Sequence, residues 1–419
     1  MRQEDFNTVT QSVFKTIAPW LVAAAFLLAL PHIFASNSAI TIMNQMAITI
    51  VFALSYNMLL GQAGMLSFGH AIYMGLGGFF AIYTMNWLSR SGTPIPLPFL
   101  PVFGGLFSLG IAMIIGSFSI RRSGAVFAMI SLGIVELVAS YAIITSGFFN
   151  GGGVGGDRTF VSPFFDVEFI RDNEVYYLVI FWLLLSTLLM YLFTLTPIGR
   201  MANAVRDNPE RAEFVGYSGY WVRFYSFCGA GFFAGVAGSL FAVTYEITTV
   251  ENLNVEASGT ILMVTFLGGV GFFFGPVTGA IVFTILQTIL SLQTELWQLY
   301  TGALFIVTVM FFPSGLTGVL AMHMQVFRSG KLTGLIAPYF KTVIPAAISI
   351  FALAGLCEIV FHSRNAATGE SQMTLYWTTF DSHHPAPWII ALVVMVAGFL
   401  LARRQAPVLV SAWSDATGP

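Results

Sequence analysis

Charge is what this chain has least of. Lysine, arginine, aspartate and glutamate make up 9% of its 419 residues, where a soluble domain carries about 25%. That is too little polar chemistry to coat a water-facing surface of this size, so an ordinary soluble enzyme is excluded. Cysteine is nearly absent as well. Cys228 and Cys357 both lie in apolar runs, which leaves no disulfide framework and no cysteine-rich metal site. The net charge of −2 supplies no bulk field for nucleic acid or an acidic ligand. A phosphate-cradling loop is also missing. The Gly330–Lys331 pair is followed by Leu332 where a magnesium-binding Ser or Thr would stand, so nucleotide hydrolysis is not expected of this chain. His383 and His384, beside Asp381, lack the spacing that presents two ligands to one ion from a helix face. They read as a solvated loop, and neither a catalytic centre, a metal site nor a bound cofactor is indicated.

Apolar material is what the chain has in abundance, at 57% of residues with a mean hydropathy of +0.82. At about 20 apolar residues per span, windows of membrane-crossing length fall at about 17–35, 40–60, 70–88, 99–119, 124–148, 175–196, 224–245, 258–274, 276–292, 297–312, 343–361 and 386–402. The expected fold is all-α, a polytopic transmembrane helix bundle of about 10–12 spans. A membrane barrel is excluded, because these runs lack its alternation of apolar and polar residues. The first run is a retained span, since Glu4 and Asp5 occupy the place of a basic leader. With a cytoplasmic N-terminus, only Arg90, Arg158, Arg171 and Arg364 face outward. The other 13 of the 17 basic residues, Arg2 and Lys15 among them, face inward, as the positive-inside rule requires. Outward segments are acidic, with Asp157, Asp166, Glu168, Asp172 and Glu174 in one loop and Glu246, Glu251 and Glu256 in another.

Scarcity makes the polar residues within the spans informative. Glu136 sits at the centre of its span, where a charge costs about 2.5–3.5 kcal/mol to insert. It either lines a substrate path or locks helices together as a protonated or hydrogen-bonded carboxyl. Asn44, Gln45 and Asn57, followed by Gln62, Ser67 and His70, form the densest uncharged polar cluster, read either as substrate contacts or as interhelical hydrogen bonding. The stretch 61–70 is compatible with a re-entrant turn. Glycines at helix-packing spacing pair Gly231 with Gly235, Gly271 with Gly275, and Gly275 with Gly279. The run Gly151, Gly152, Gly153, Val154, Gly155, Gly156 reads as a flexible outward loop, a hinge or a close-approach surface. The inward segment 199–223 contains Asn208–Pro209, a helix start, followed by Glu210 and helix formers up to Gly216. It reads either as a short protruding helix that docks on a soluble partner or as a basic loop that fixes topology.

Several of these segments, in register, resemble one family. LSYNMLLGQAGMLSFGHAIYMGLGGFFA (54–81), FAMISLGIVELV (127–138), GRMANAVRDNPERAEFVG (199–216), GGVGFFFGPVTGA (268–280) and FPSGLTGVL (312–320) resemble the membrane permeases of branched-chain amino acid ABC importers, whose relatives include urea importers. The resemblance covers about residues 40–320. It implies a permease core over 1–320 and a C-terminal extension over 321–419 with two further spans. It also implies import of branched-chain or other hydrophobic amino acids, with urea or a small amide as the alternative. The implied partners are a homologous second permease, two ATP-binding subunits that carry the ATP, and a periplasmic substrate-binding protein, all at a bacterial inner membrane. Arg200, Arg206, Asp207, Asn208, Pro209, Glu210, Arg211 and Gly216 fall in the family's ATPase-coupling loop, and Glu136 falls on its acidic position. Ser314 departs from the basic residue often found after the proline. A self-sufficient ion-coupled secondary transporter, with Glu136 as the ion site, is the competing class.

Overall fold

A computed structural model describes residues 3–122, 124–145, 147–164, 167–365, 372–375 and 378–417, without the side chains of 3–17 and 160. Arg2, Asp166 and the Lys15 side chain, counted above for sidedness, lie outside that description. The described chain is almost wholly helical and divides into two compact units, residues 1–318 and 319–419.

The first unit opens with α1 (Gln3–Ile33) and α2 (Asn37–Asn57), where Ser36 caps α2 by accepting from the Ala39 amide at 3.3 Å. A π-helical turn, Met58–Gln62, ends α2, and an irregular stretch leads into α3 (Ala71–Ser91). Then come α4 (Leu100–Ser119), α5 (Ala125–Ile144), α6 (Asp172–Leu195), α7 (Pro197–Asp207), α8 (Pro209–Phe214) and α9 (Gly219–Tyr245). Beyond α9 lie α10 (Val255–Gly268), α11 (Gly275–Gln293), α12 (Trp297–Phe311) and the start of α13 (Gly315–Arg328).

Among the described residues eight helices are long and apolar enough to cross a membrane, or nine if α12 and α13, bent by 54°, are one broken span. The difference from twelve windows has local causes. The windows at 17–35 and 258–274 hold the shorter apolar helices Ala18–Ile33 and Val255–Gly268. The 70–88 window holds α3, which has the length but carries tyrosines, Asn86 and three glycines on a helix that packs against protein. Its neighbour α9 is the bundle's central post, with 78% of its spanning window buried.

Lipid supplies no hydrophobic force between helices, so they must associate by close contact. Glycines provide it here. A side chain at Gly77 would collide with the Gly235 backbone and one at Gly104 with the Gly77 carbonyl and Ser239, so α3, α4 and α9 meet backbone to backbone. The sequence spacing identifies Gly231 and Gly235 correctly, and Gly275 and Gly279 pack against the Gly269 and Val264 carbonyls. Gly271, by contrast, faces open space.

The glycine run at 151–156 is ordered at its centre, as a close-approach surface rather than a wholly flexible loop. Gly153–Gly155 forms a strand, β1, paired antiparallel with β2 (Ile247–Thr249), Val154 opposite Thr248. Arg158, outwardly just another loop charge, is the knot beneath this pair. Its Nη1 donates to the Val243 and Thr244 carbonyls at 3.2 and 3.1 Å, its Nε to the Phe169 carbonyl at 3.0 Å, and Asp172 lies 3.3 Å from its Nη2. It thereby satisfies the last carbonyls of α9, which the helix itself leaves unpaired. Next to it, hydrogen bonds from Thr159 hold the Asp157 carboxyl below its ordinary pKa.

The second unit contains the rest of α13, then α14 (Leu332–Asn365), a hairpin of β3 (Gln372–Leu375) and β4 (Thr378–Asp381), and α15 (Pro385–Thr417). The two long helices pack on each other, with Gly398 against the Pro345 carbonyl and Ser349 donating to the Met395 carbonyl at 2.8 Å. Their spanning windows are otherwise bare, 11% and 6% buried.

Candidate functional site

Three groups of polar residues stand out against this apolar frame: the break between α2 and α3, the exposed face of α5, and the short helices α7 and α8.

The break holds most of the polar cluster singled out in the sequence. Asn57, Gln62, Ser67 and His70 are all buried, whereas Gln45 is half-buried on α2 and its carbonyl accepts from Thr49. His70 is packed among Phe52, Tyr56 and Tyr73, with ring centroids 5.4, 5.2 and 5.9 Å away, and its Nε2 lies 2.9 Å from Ser55 Oγ. Tyr56 donates to the Ser67 carbonyl at 2.9 Å. Asn57 Oδ1, Gln62 Oε1 and His70 Nδ1 here have no hydrogen-bond partner among the described residues, and neither does Asn44 Oδ1, about 20 Å back along α2. Such concentrated polar groups in a helix bundle are costly, and a π-turn at their centre marks backbone that has left the regular ladder.

Glu136 does not join that cluster. The buried side of α5 carries Phe127, Ala128, Ser131, Val135, Ala139 and Ala142, whereas Glu136 lies on the exposed side with Gly133 and Ser140. It opens on a groove of about 470 Å³ that Gly152, Thr249, Glu251 and Asn254 also line. Among the described residues no hydrogen bond or ion pair ties Glu136 to another helix. Ser131, on the opposite face of α5, lines a small cleft with Ser67 and Tyr73 instead. The two faces of one helix therefore address two different polar regions. Glu251 and Asn254 were missed as neighbours of Glu136, because they reach the groove from a loop more than a hundred residues away; the acidic character of that loop was the available signal.

On the other side, Thr196 accepts from the Gly199 amide at 3.1 Å and Pro197 starts α7, a helix not foreseen in the sequence. Its Ala202 and Val205 are buried, while Arg200 and Arg206 are exposed. Asn208 caps α8 by accepting from the Arg211 amide at 2.9 Å, with Pro209 in the first turn. Glu210 and Arg211 are exposed on it, as is the neighbouring Phe214, 91% exposed. Gly216, at φ +90°, turns the chain back toward α9. Asp207 lies 2.9 Å from Arg206 Nε. The result is a short, capped, mixed-charge helix carrying one bare aromatic side chain.

Residues 38–309 match the family described as branched-chain amino acid transport system / permease component. The chain belongs to that family. It is 25% identical to the high-affinity branched-chain amino acid transport system permease protein LivM of Salmonella typhimurium, over 79% of this chain and 80% of that one. Against LivM of Escherichia coli the identity is 26%, over 74% and 76%. The permease protein LivH of the Salmonella typhimurium system is also similar, at 23% identity over 64% of this chain and 90% of LivH. No solved structure matches. The family is one of transport permease components rather than of enzymes, and the apolar helices make this a multi-pass membrane permease.

Proposed function

We propose that this permease is one membrane subunit of an ATP-driven importer for branched-chain or other hydrophobic amino acids. It builds the translocation path together with a homologous second permease, in a bacterial inner membrane with its N-terminus in the cytoplasm. ATP is bound and hydrolysed by two separate subunits, and a periplasmic binding protein delivers the substrate to the outward loops.

The observation that carries this reading is the position of Glu136. A carboxylate on the exposed face of a spanning helix cannot be left to lipid without a cost of about 2.5–3.5 kcal/mol, so that face of α5 needs protein or water against it. A second permease packed opposite supplies both, an interface and an aqueous path between the chains. The relatives' names include two permeases, LivM and LivH, in agreement with a paired arrangement. The groove beside Glu136 offers carboxylates to an ammonium group and Thr249 and Asn254 to polar atoms, the chemistry of the charged end of an amino acid. On the cytoplasmic side, α8 is the element that inserts into the ATP-binding subunit through Glu210, Arg211 and Phe214.

Reconstitution tests the whole reading. Liposomes containing this chain with its cognate second permease and ATP-binding subunits, supplied with binding protein, are expected to accumulate leucine, isoleucine or valine only when ATP is present inside. Uptake of urea or a small amide instead would reassign the substrate. Uptake driven by an ion gradient without ATP-binding subunits would overturn the importer reading altogether.

A further inference from the structure

The irregular stretch between α2 and α3 is held from four directions. Asn57 Nδ2, just before the π-turn, donates to the Phe272 carbonyl in the turn between α10 and α11 at 3.3 Å. The Phe68 amide donates to Ser131 Oγ on α5 at 3.0 Å, and the Ala71 amide to Ser258 Oγ on α10 at 3.0 Å. The fourth hold comes from the cytoplasm: Arg206 Nη1 on α7 donates to the Gly61 carbonyl.

That last contact has a clear physical origin. Where a helix ends, its final carbonyls lose their backbone partners, and Gly61 stands at such an end. A guanidinium can satisfy the carbonyl with one branch while its Nε keeps Asp207 at 2.9 Å, immediately before the Asn208 cap of α8. The fit is close. Gly64, at φ +67°, faces the Arg206 stem so tightly that an added Cβ would lie 2.6 Å from Arg206 Cγ. One side chain thus ties the junction of the two cytoplasmic helices to the broken membrane segment.

We infer that Arg206 transmits displacement of α7 and α8 to the α2–α3 break, and through Phe68 and Ser131 to α5, the helix that bears Glu136. This rests on the importer reading above and assigns a route within it. It makes Arg206 a positioning residue, acting through Gly61, while docking on the ATP-binding subunit falls to α8. Lysine is a poor substitute, because a single ammonium cannot reproduce the fork that reaches Gly61 and Asp207 together.

The test uses the complete reconstituted complex and reads ATP hydrolysis and amino acid uptake separately. Arg206→Ala is expected to assemble and to hydrolyse ATP within about twofold of the unmodified rate, while uptake per ATP falls about tenfold or more, the scale of one charged hydrogen bond. Arg206→Lys is expected to fall between the two. Arg122→Ala, an exposed cation on another inward loop, is expected to match the unmodified complex. Unchanged uptake per ATP in Arg206→Ala overturns the inference. So does failure of both Arg206 variants to assemble, which would make the residue one of docking or folding. Absence of ATP-driven uptake by the unmodified complex instead overturns the importer reading, and shows itself before any substitution is made.

Discussion

Glu136 and Arg158 are both charged residues in an apolar chain, and their surroundings give them opposite roles. Glu136 has open space and no partner among the described residues, so replacing it leaves no buried group stranded. Glu136→Gln is therefore expected to leave the thermal stability of the purified chain unchanged and to lower uptake by the reconstituted complex about tenfold, equivalent to about 1.4 kcal/mol of lost stabilisation along the path. Uptake and pH dependence equal to the unmodified complex would remove Glu136 from the path. Arg158 is the reverse case, only 10% exposed, with its donors spread over carbonyls from two segments. Arg158→Ala strands the Val243 and Thr244 carbonyls at the end of α9. A loss of about 1.5–3 kcal/mol is expected, the range for hydrogen bonds to a charged group, measured by denaturation in detergent. The same substitution is expected to speed hydrogen exchange in β1 and β2 while leaving α7 and α8 alone. Uniform exchange across the chain would contradict a local role.

At the scale of elements, the contact of α3, α4 and α9 rests on absent side chains. A Cβ at Gly238 would run into the Met74 carbonyl, a backbone atom that cannot rotate away, so α3 and α9 must part to admit it. Gly238→Ala is expected to destabilise by about 1–3 kcal/mol or more, the cost of overpacking. Gly110→Ala, on α4 with open space around it, is expected to be neutral or to stabilise by up to about 1 kcal/mol through helix propensity. Thermal unfolding of both in detergent checks the pair, and equal shifts would refute the packing argument. The same elements show where sequence reasoning reaches and where it stops. The Asn208–Pro209 start of α8 is legible because a cap is made by residues within one turn. The i, i+4 glycines of α9 are legible because spacing alone puts them on one stripe. Arg206 reaches a carbonyl 145 positions away, and Asn57 one 215 positions away, and no local pattern encodes which carbonyl a bundle will bring near. The strand at Gly153–Gly155 is hidden for a related reason, since its partner lies beyond α9 and glycines show no alternation. The exposed side of Glu136 was hidden too: a composition rule places a charge in a membrane span but cannot say which face of the helix it occupies.

At the scale of the molecule, the family match ends at residue 309 and the first compact unit at 318. Between them lies the turn by which α13 closes that unit. Gly315 packs on Gly269, at φ +64° and +112° respectively, and Thr317 Oγ1 lies 2.7 Å from Thr278 Oγ1. These contacts complete the α10–α11 turn whose Phe272 carbonyl receives Asn57, so the unit needs the chain to about this point. The second unit has its own internal packing. His323 lies 2.8 Å from Tyr339 Oη through Nε2, Trp413 Nε1 donates to the same oxygen at 2.8 Å, and α14 and α15 bury their small residues against each other. A unit that packs its own helices on each other is expected to be separable in stability from its neighbour. A chain ending at Arg328 is therefore expected to keep the first unit folded, with an unfolding temperature in detergent within a few degrees of the untruncated chain. A chain ending at Val309 loses the Gly315 and Thr317 contacts and is expected to unfold at a clearly lower temperature. If the Arg328 truncation proved as unstable as the Val309 truncation, the division at 318 would not be one of stability, and the α14–α15 hairpin would have to be counted as part of the permease core.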